Sequence, residues 1–445
     1  MNLQVSVKPE ISYFSTLLGE CVKAAPIENN QLLELRNHAA AIAQEFAIPT
    51  RRDEEWRFTD LSSLLKVSFD GIGVAEIPEF DIAPLILPEA IDSRLVFVNG
   101  VYAPHLSSVS NLPEGIYVGN LAGLPAPYST KIWNYLAKQQ GDSEVFTALN
   151  TAGLTDIAIV WVSKNNIVET PIHLLFISTT QEVPFICQPR VLVVAESASQ
   201  VTLVEHYAAN VEGCSDIPLN HPYFTNQVTE IWLEENAIVN HTRNQREAGD
   251  GFHIGKTAVS QARNSRYTCN AISLGAKLSR HNLEIWQTGE ATETILNGLT
   301  MVGGEQLADT HSSVMLNHPH GITNQLHKCI VGDRGHGIFS GKVFVPKAAQ
   351  FTNAGQLNRN LLLSPKARVD TKPQLEITAD QVKCSHGATV SQLDAEEVFY
   401  LQSRGLKEAD ARNLLIDAFV AEILNRIPIP SLRQRLSQCT NCRTS

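Results

Sequence analysis

Cys384 and His386 are the pair best placed to do chemistry, in the run Lys383-Cys384-Ser385-His386-Gly387-Ala388-Thr389. In an extended strand, residues two apart project from the same face, which sets a thiol beside an imidazole. Sulfur and imidazole nitrogen together suit iron or a thiol-bound sulfur species. Two ligands do not close a metal site, so such a half-site requires a second chain or solvent to complete it. The same residues also fit an ordinary strand with a half-buried cysteine and a hydrogen-bonded histidine, because free cysteines are usually buried.

Other candidate chemistry is weaker. The segment Gly249-Asp250-Gly251-Phe252-His253-Ile254-Gly255-Lys256-Thr257 ends like a phosphate-binding loop. Asp250 holds the position where that loop needs a glycine, and its carboxylate would face the phosphate. The residues after Thr257 read as strand, so no helix N-terminus awaits an anion. In Gly335–Lys342 the glycine position is His336, and Val343 replaces the required Ser or Thr. Neither segment is expected to bind nucleotide. Cys439 and Cys442 have zinc-type spacing but form only two ligands, and they read as an exposed tail. His311, His318, His320, His327 and His336 follow no ligand spacing and read as surface or core histidines. Asp309, Asp333 and Asp370 could serve a carbohydrate-active enzyme only if two of them met at about 5–9 Å.

The 445 residues suffice for two or three folded regions, and 43% hydrophobic with 18% charged is ordinary globular composition. With 35 basic against 46 acidic residues the net charge is −11, which argues against a nucleic-acid partner. No run approaches the ~18 apolar residues of a membrane span. The N-terminal stretch carries no secretory pattern. Cys21, Cys187, Cys214, Cys269, Cys329, Cys384, Cys439 and Cys442 are too scattered for a disulfide scaffold, and a reducing, cytoplasmic setting is expected.

The elements that must position the half-site fall into three parts. Residues 1–156 read as a helical and mixed region. Leu32, Leu35, Ala39, Ile42 and Phe46 make one apolar stripe that ends at Pro49. The charged, aromatic run Arg51–Asp60 suggests a short helix or turn anchored on the body. Residues 71–94 look like a linker, and short helices are expected near 128–139 and 142–150.

Residues 157–393 change to strand-type runs such as Ile172–Ile177, Val191–Val194, Tyr267–Ile272 and Ile338–Val345. Phe339, Gly341, Val343 and Val345 share one face at period two. Gly, Asn and Asp punctuate the runs, and tight hairpin signals are scarce, Asn297-Gly298 being the clearest. Such length with so few hairpins predicts a parallel β-helix, although no repeat motif is visible.

Residues 394–445 return to helix. Asp394 with Glu397 resembles a capping box, and Gly405 is a natural stop. A second helix from about 407 to 426 carries Ala411, Leu414, Leu415, Ala418, Phe419, Ile423 and Leu424, and Ile416 and Val420 widen its stripe. Excess apolar surface of this kind marks deep packing or a docking site.

An ordered series of motifs resembles the SufB/SufD family. It comprises Glu55-Trp56-Arg57-Phe58-Thr59-Asp60-Leu61, Ala349–Ala354, Asn358–Ser364, Thr371–Ile377, Lys383–Thr389 and Phe399–Gly405. The resemblance is dense over 330–425, looser over 150–330, and restricted to one motif near 51–65. SufB members carry a cysteine in the stretch corresponding to Leu357–Pro365, and this chain has none there, which places it with the SufD members. The resemblance implies a right-handed parallel β-helix with helical ends, acting as a non-catalytic scaffold for iron–sulfur cluster assembly. It further implies pairing with SufB, binding of the SufC ATPase through the C-terminal helices, and a transient cluster at the SufB interface, none being bound stably. His386, with Cys384 less firmly placed, would hold iron or sulfur there. Phe399, Tyr400, Leu415 and Phe419 are the candidates for SufC contact, and two copies could pair when the chain is alone. The competing readings are a β-helix carbohydrate-active enzyme and a purely structural interaction protein.

Overall fold

The computed structural model describes residues 9–23, 29–71, 81–110, 112–140, 144–179, 183–209, 218 and 221–444. Cys214, the side chain of Cys442 and parts of the expected linker (72–80) and helix (141–143) lie outside the described residues.

Two 11-stranded sheets run along the chain. From Arg190–Ala195 to Lys383–Gln392 successive strands alternate between them, so each coil lays one strand in each sheet. Every pairing in this stretch is parallel. Gln200 stacks in register on Ile238, Arg266, Glu293, Ile322, Asn353 and Lys383 in turn. The fold is the expected parallel β-helix with helices at both ends.

The repeat absent from the sequence lies in the backbone. Asn165, Ala198, Asn236, Asn264, Ala291, His320 and Phe351 all have positive φ at successive turns. Their N–H groups donate to the carbonyls of Ser197, Glu235, Arg263, Glu290, Pro319, Gln350 and Gln381, one coil further on. One conformation is thus filled by Asn, Ala, His and Phe, so residue identity does not reveal it. Asn297-Gly298 is no hairpin and lies inside the strand Glu293–Val302. A Cβ on Gly298 would come within 2.0 Å of His327 Nδ1, so the glycine makes room for a stacked ring.

The segment 71–94 is only in part a linker. Leu87 and Ala90 are buried beside the C-terminal helices, and Ser93–Val98 joins the second sheet in parallel with Ile172–Ser178. The helix Asn30–Glu45, capped by Asn29, buries Leu32 and Ala39 of the stripe, leaves Leu35 and Ile42 half-buried, and also buries Arg36 and Ala43. Val145–Ala152 matches the helix expected near 142–150, whereas 128–139 holds only the end of the four-residue helix Ala126–Ser129 and the single turn Ile132–Asn134.

The C-terminal region holds three helices, Ala395–Ser403, Glu408–Leu424 and Pro430–Thr444. The exposed tail expected around Cys439 is instead the end of the third. Leu432 and Leu436 of that helix join Ile416, Val420, Ile423 and Ile427 over Ile272, Leu299, Leu326 and Ile330 of the second sheet. The widened stripe is therefore explained by deep packing. Asp394 caps the first helix through Glu396 N rather than through a box with Glu397.

Inside the coils one side is apolar, with Val201, Val239, Leu283, Val314 and Val343. The other side buries polar groups. Glu247 accepts from Thr225 at 2.6 Å and pairs with His253 at 2.6 Å, and Glu205 accepts from Tyr207 at 2.9 Å. Burial pushes His206 and His327 down to about 3, so both are neutral in the fold. Burial also opposes charge on His241, but Glu205 beside it prevails and lifts it to about 10.

His206 and His327 contribute fully above the unfolded value near 6.5 and lose that contribution as pH falls toward 3, at up to about 1.4 kcal/mol per pH unit each. The His241 contribution is complete below 6.5 and is lost only on the alkaline side. The urea midpoint is expected to fall steadily from pH 6.5 to 4.5, and a flat midpoint there contradicts the burial of neutral histidines.

Candidate functional site

The strand Lys383–Gln392 ends the second sheet and pairs only with Asn353–Leu362 among the described residues. Arg368–Ile377 ends the first sheet against His336–Val345. The last coil therefore presents two unpaired strand edges, a template for pairing with another chain.

Cys384 and His386 stand on this coil. Cys384 lies over Ala354 and His386 over Gln356. Ala354 belongs to the core and Gln356 is buried, so both columns face the interior, as the same-face expectation requires. Cys384 is half-buried at the end of the apolar core, and burial pushes its thiol up. His386 is exposed. No group of three or more His, Cys, Asp or Glu that could hold a metal occurs among the described residues. The arrangement is a thiol and an imidazole two residues apart on the open last coil.

The remaining candidates are scattered. His311 and His336 pair with Asp309 and Asp370, at 3.0 and 2.7 Å. His327 is interior and stacks on Phe339 with ring centroids 4.8 Å apart. His320 stacks on Phe351 at a turn. Among the carboxylates, Asp333 accepts from Gly304 N at 2.9 Å and Asp370 also meets Arg368 at 2.8 Å. Asp309 is sealed inside an ion pair with Arg280. Burial works against its charge, but Arg280 and His311 outweigh it and hold the carboxyl down to about 2.

Both loop-like segments are strands, Phe252–Gln261 and His336–Val345. A Cβ on Gly255 would meet Gln227 Oε1 at 2.5 Å, and one on Gly341 would meet Gln356 Nε2 at 2.2 Å. These glycines admit large polar side chains to the interior and form no phosphate cradle.

The Glu55–Leu61 motif clamps the outer face of the first sheet. The Arg280 guanidinium lies 3.9 Å from the Trp56 ring centroid and bonds Asp309, which also accepts from Thr59. Glu54 reaches Lys372 of the last coil at 2.6 Å. Nothing in residue spacing joins these partners, which lie far apart in the chain.

On the C-terminal helices the structure separates anchors from free side chains. Phe419 is half-buried under Lys328, whose Nζ lies 4.3 Å from its ring centroid, and it packs toward the sheet. Phe399 and Tyr400 are 70% and 57% exposed, and Leu414, a stripe residue outside the expected contact set, is 50% exposed. Leu415 is half-buried and shares with Asp394, Glu396, Glu397, Tyr400 and Leu401 a groove of about 430 Å³.

No described helix is long and apolar enough to cross a membrane. Cys21, Cys187, Cys269, Cys329, Cys384 and Cys439 are free thiols.

Comparison with known proteins agrees with this geometry. Residues 176–419 match the family model described as SUF system FeS cluster assembly, SufBD core domain, and 23–174 match the SufBD protein N-terminal region. An iron–sulfur cluster assembly SufBD family protein of Synechocystis sp. is 52% identical over 96% of this chain and 94% of its own length. The chloroplastic protein ABCI7 of Arabidopsis thaliana is 34% identical over 98% of this chain and 92% of its own. The iron–sulfur cluster assembly protein SufD of Escherichia coli is 32% identical over 87% and 88%. Two family models covering most of the chain, with near-full-length relatives, establish that this chain belongs to the SufB/SufD family of iron–sulfur cluster assembly proteins.

Proposed function

We propose that the chain is the SufD-type scaffold subunit of this assembly system, pairing with SufB across its open last coil and building a nascent cluster at that seam. The observation that carries the reading is the half-site itself. His386 and Cys384 sit on the end of the β-helix where the last strand of each sheet has no further partner among the described residues. A second chain that continued these edges would bring its own donors to the same place. The cluster is cargo, made and released, and the weak, exposed imidazole suits release better than a full thiolate set. In the absence of SufB, the same edges can pair two copies of this chain. Co-expression with SufB and SufC, followed by copurification and assay of iron and acid-labile sulfide, tests the reading. A complex that forms but never carries iron or sulfide contradicts it.

The same proposal assigns SufC docking to the first two C-terminal helices. Phe399, Tyr400 and Leu414 are large apolar side chains left in solvent, beside the groove lined by Leu415. Phe419 is an anchor on the sheet and drops out of the contact set. Removing everything after Leu393 would strip Ile416, Val420, Ile423 and Leu432 from the second sheet, so that truncation tests folding rather than docking. A Phe399→Ala, Tyr400→Ala double variant should keep its thermal midpoint. It should weaken SufC capture at least tenfold, since central aromatic contacts are worth about 2 kcal/mol or more each. Unchanged capture sinks the docking assignment.

ATP hydrolysis is assigned to SufC and not to this chain, because both glycine–lysine pairs here lie inside strands.

A further inference from the structure

Beneath His386 lies a ladder of side-chain amides. Gln325 and Gln356 occupy the same inward column as His386, one coil apart at each step. Gln356 Nε2 donates to Gln325 Oε1 at 2.9 Å, and Gln325 Nε2 donates to Ser312 Oγ at 2.7 Å. All three side chains are buried. Gln356 Oε1 is left buried with no hydrogen-bond partner. An orphaned buried acceptor costs about 1–3 kcal/mol, so a structure that retains one calls for an occupant.

The first sheet is cut to fit this amide. Gly341 faces it, and a Cβ there would come within 2.2 Å of Gln356 Nε2. With its N–H side committed to Gln325, the amide has its oxygen left for the next rung. The residue on that rung is His386.

We propose that Gln356 is a positioning residue for His386: its Oε1 accepts one imidazole N–H and leaves the other ring nitrogen unprotonated for iron. This rests on the role given to His386 above. In the chain alone the ring is in solvent. A partner lying over the last coil confines it to the inward column, where the orphan oxygen is the available acceptor. A hydrogen bond to the far nitrogen fixes both the tautomer and the ring plane of a histidine ligand, and losing it typically costs 10–100-fold in metal affinity.

The test uses the complete complex copurified with SufB and SufC, and compares Gln356→Leu, Gln356→Glu and His386→Ala. Iron, acid-labile sulfide, subunit stoichiometry and thermal midpoint are read for each. Gln356→Leu removes the acceptor and should lower iron and sulfide about tenfold with stoichiometry unchanged. Gln356→Glu keeps an oxygen at the same place. Ser312 Oγ can donate or accept, so Gln325 can turn over and donate to the new carboxylate. Loading by Gln356→Glu should therefore return to within about threefold of the parent, even if its midpoint falls as far as that of Gln356→Leu. A purely structural role predicts that loading follows the midpoint in both variants, and that result overturns the proposal. Wild-type loading by Gln356→Leu alongside an empty His386→Ala also overturns it while leaving the role of His386 intact. Wild-type loading by His386→Ala removes the underlying reading itself.

Discussion

Ala388→Pro is expected to abolish copurification with SufB while the chain stays folded. In a parallel ladder, alternate residues aim their N–H and C=O groups at alternate sides. Lys383 N donates back to Thr352 O at 2.9 Å. Ser385, Gly387 and Thr389 then also bond inward, and Cys384, His386, Ala388 and Val390 aim their backbone groups at the open edge. Proline at 388 removes an edge donor and sets a ring in the path of an incoming strand, at no cost to the internal ladder. Pairing should weaken by tenfold or more, which corresponds to about 1.4 kcal/mol. Thr389→Pro is the control, because it breaks a bond to the neighbouring coil and should destabilise the chain itself. If Ala388→Pro copurifies like the parent, SufB does not pair through this edge.

Much of this architecture is legible in the sequence because strand alternation and scarce hairpins are local properties. Phe339, Val343 and Val345 do share a buried face, and the helix at 30–45 follows its stripe. The coils themselves are not legible, because the turn ladder is a shared left-handed conformation held by residues as different as Asn264 and Phe351. Glycines mislead for a related reason. Gly255, Gly298 and Gly341 look like loop or turn signals, yet each is a gap for a large side chain on a neighbouring or facing strand, a contact without any local signature.

The site divides in the same way. Cys384 and His386 are legible from spacing, since alternation puts them on one face. Their position on an uncapped last coil, and the amide ladder beneath them, come only from register across strands some thirty residues apart. The C-terminal helices show the limit of a stripe: Leu414 and Ile416 are both apolar, but one is in solvent and the other under the sheet. Only the packing partner distinguishes them.

The second large effect concerns His386 directly. A strand position on an open edge tolerates a smaller side chain far better than a core position does, so His386→Ala should leave the fold and the complex intact. It removes the only imidazole of the half-site, and cluster content should fall sharply. Cys384→Ser should do less, because the Cys384 side chain packs half-buried at the end of the apolar core, whereas His386 stands exposed on the open coil. SufB is expected to bring a cysteine of its own. The decisive measurement is iron and acid-labile sulfide in the purified His386→Ala complex with SufB and SufC. The account predicts at most about a tenth of parental content at normal stoichiometry, a loss of the size typical for a missing metal ligand or its support. Parental content in that complex would contradict it and leave the chain a passive partner.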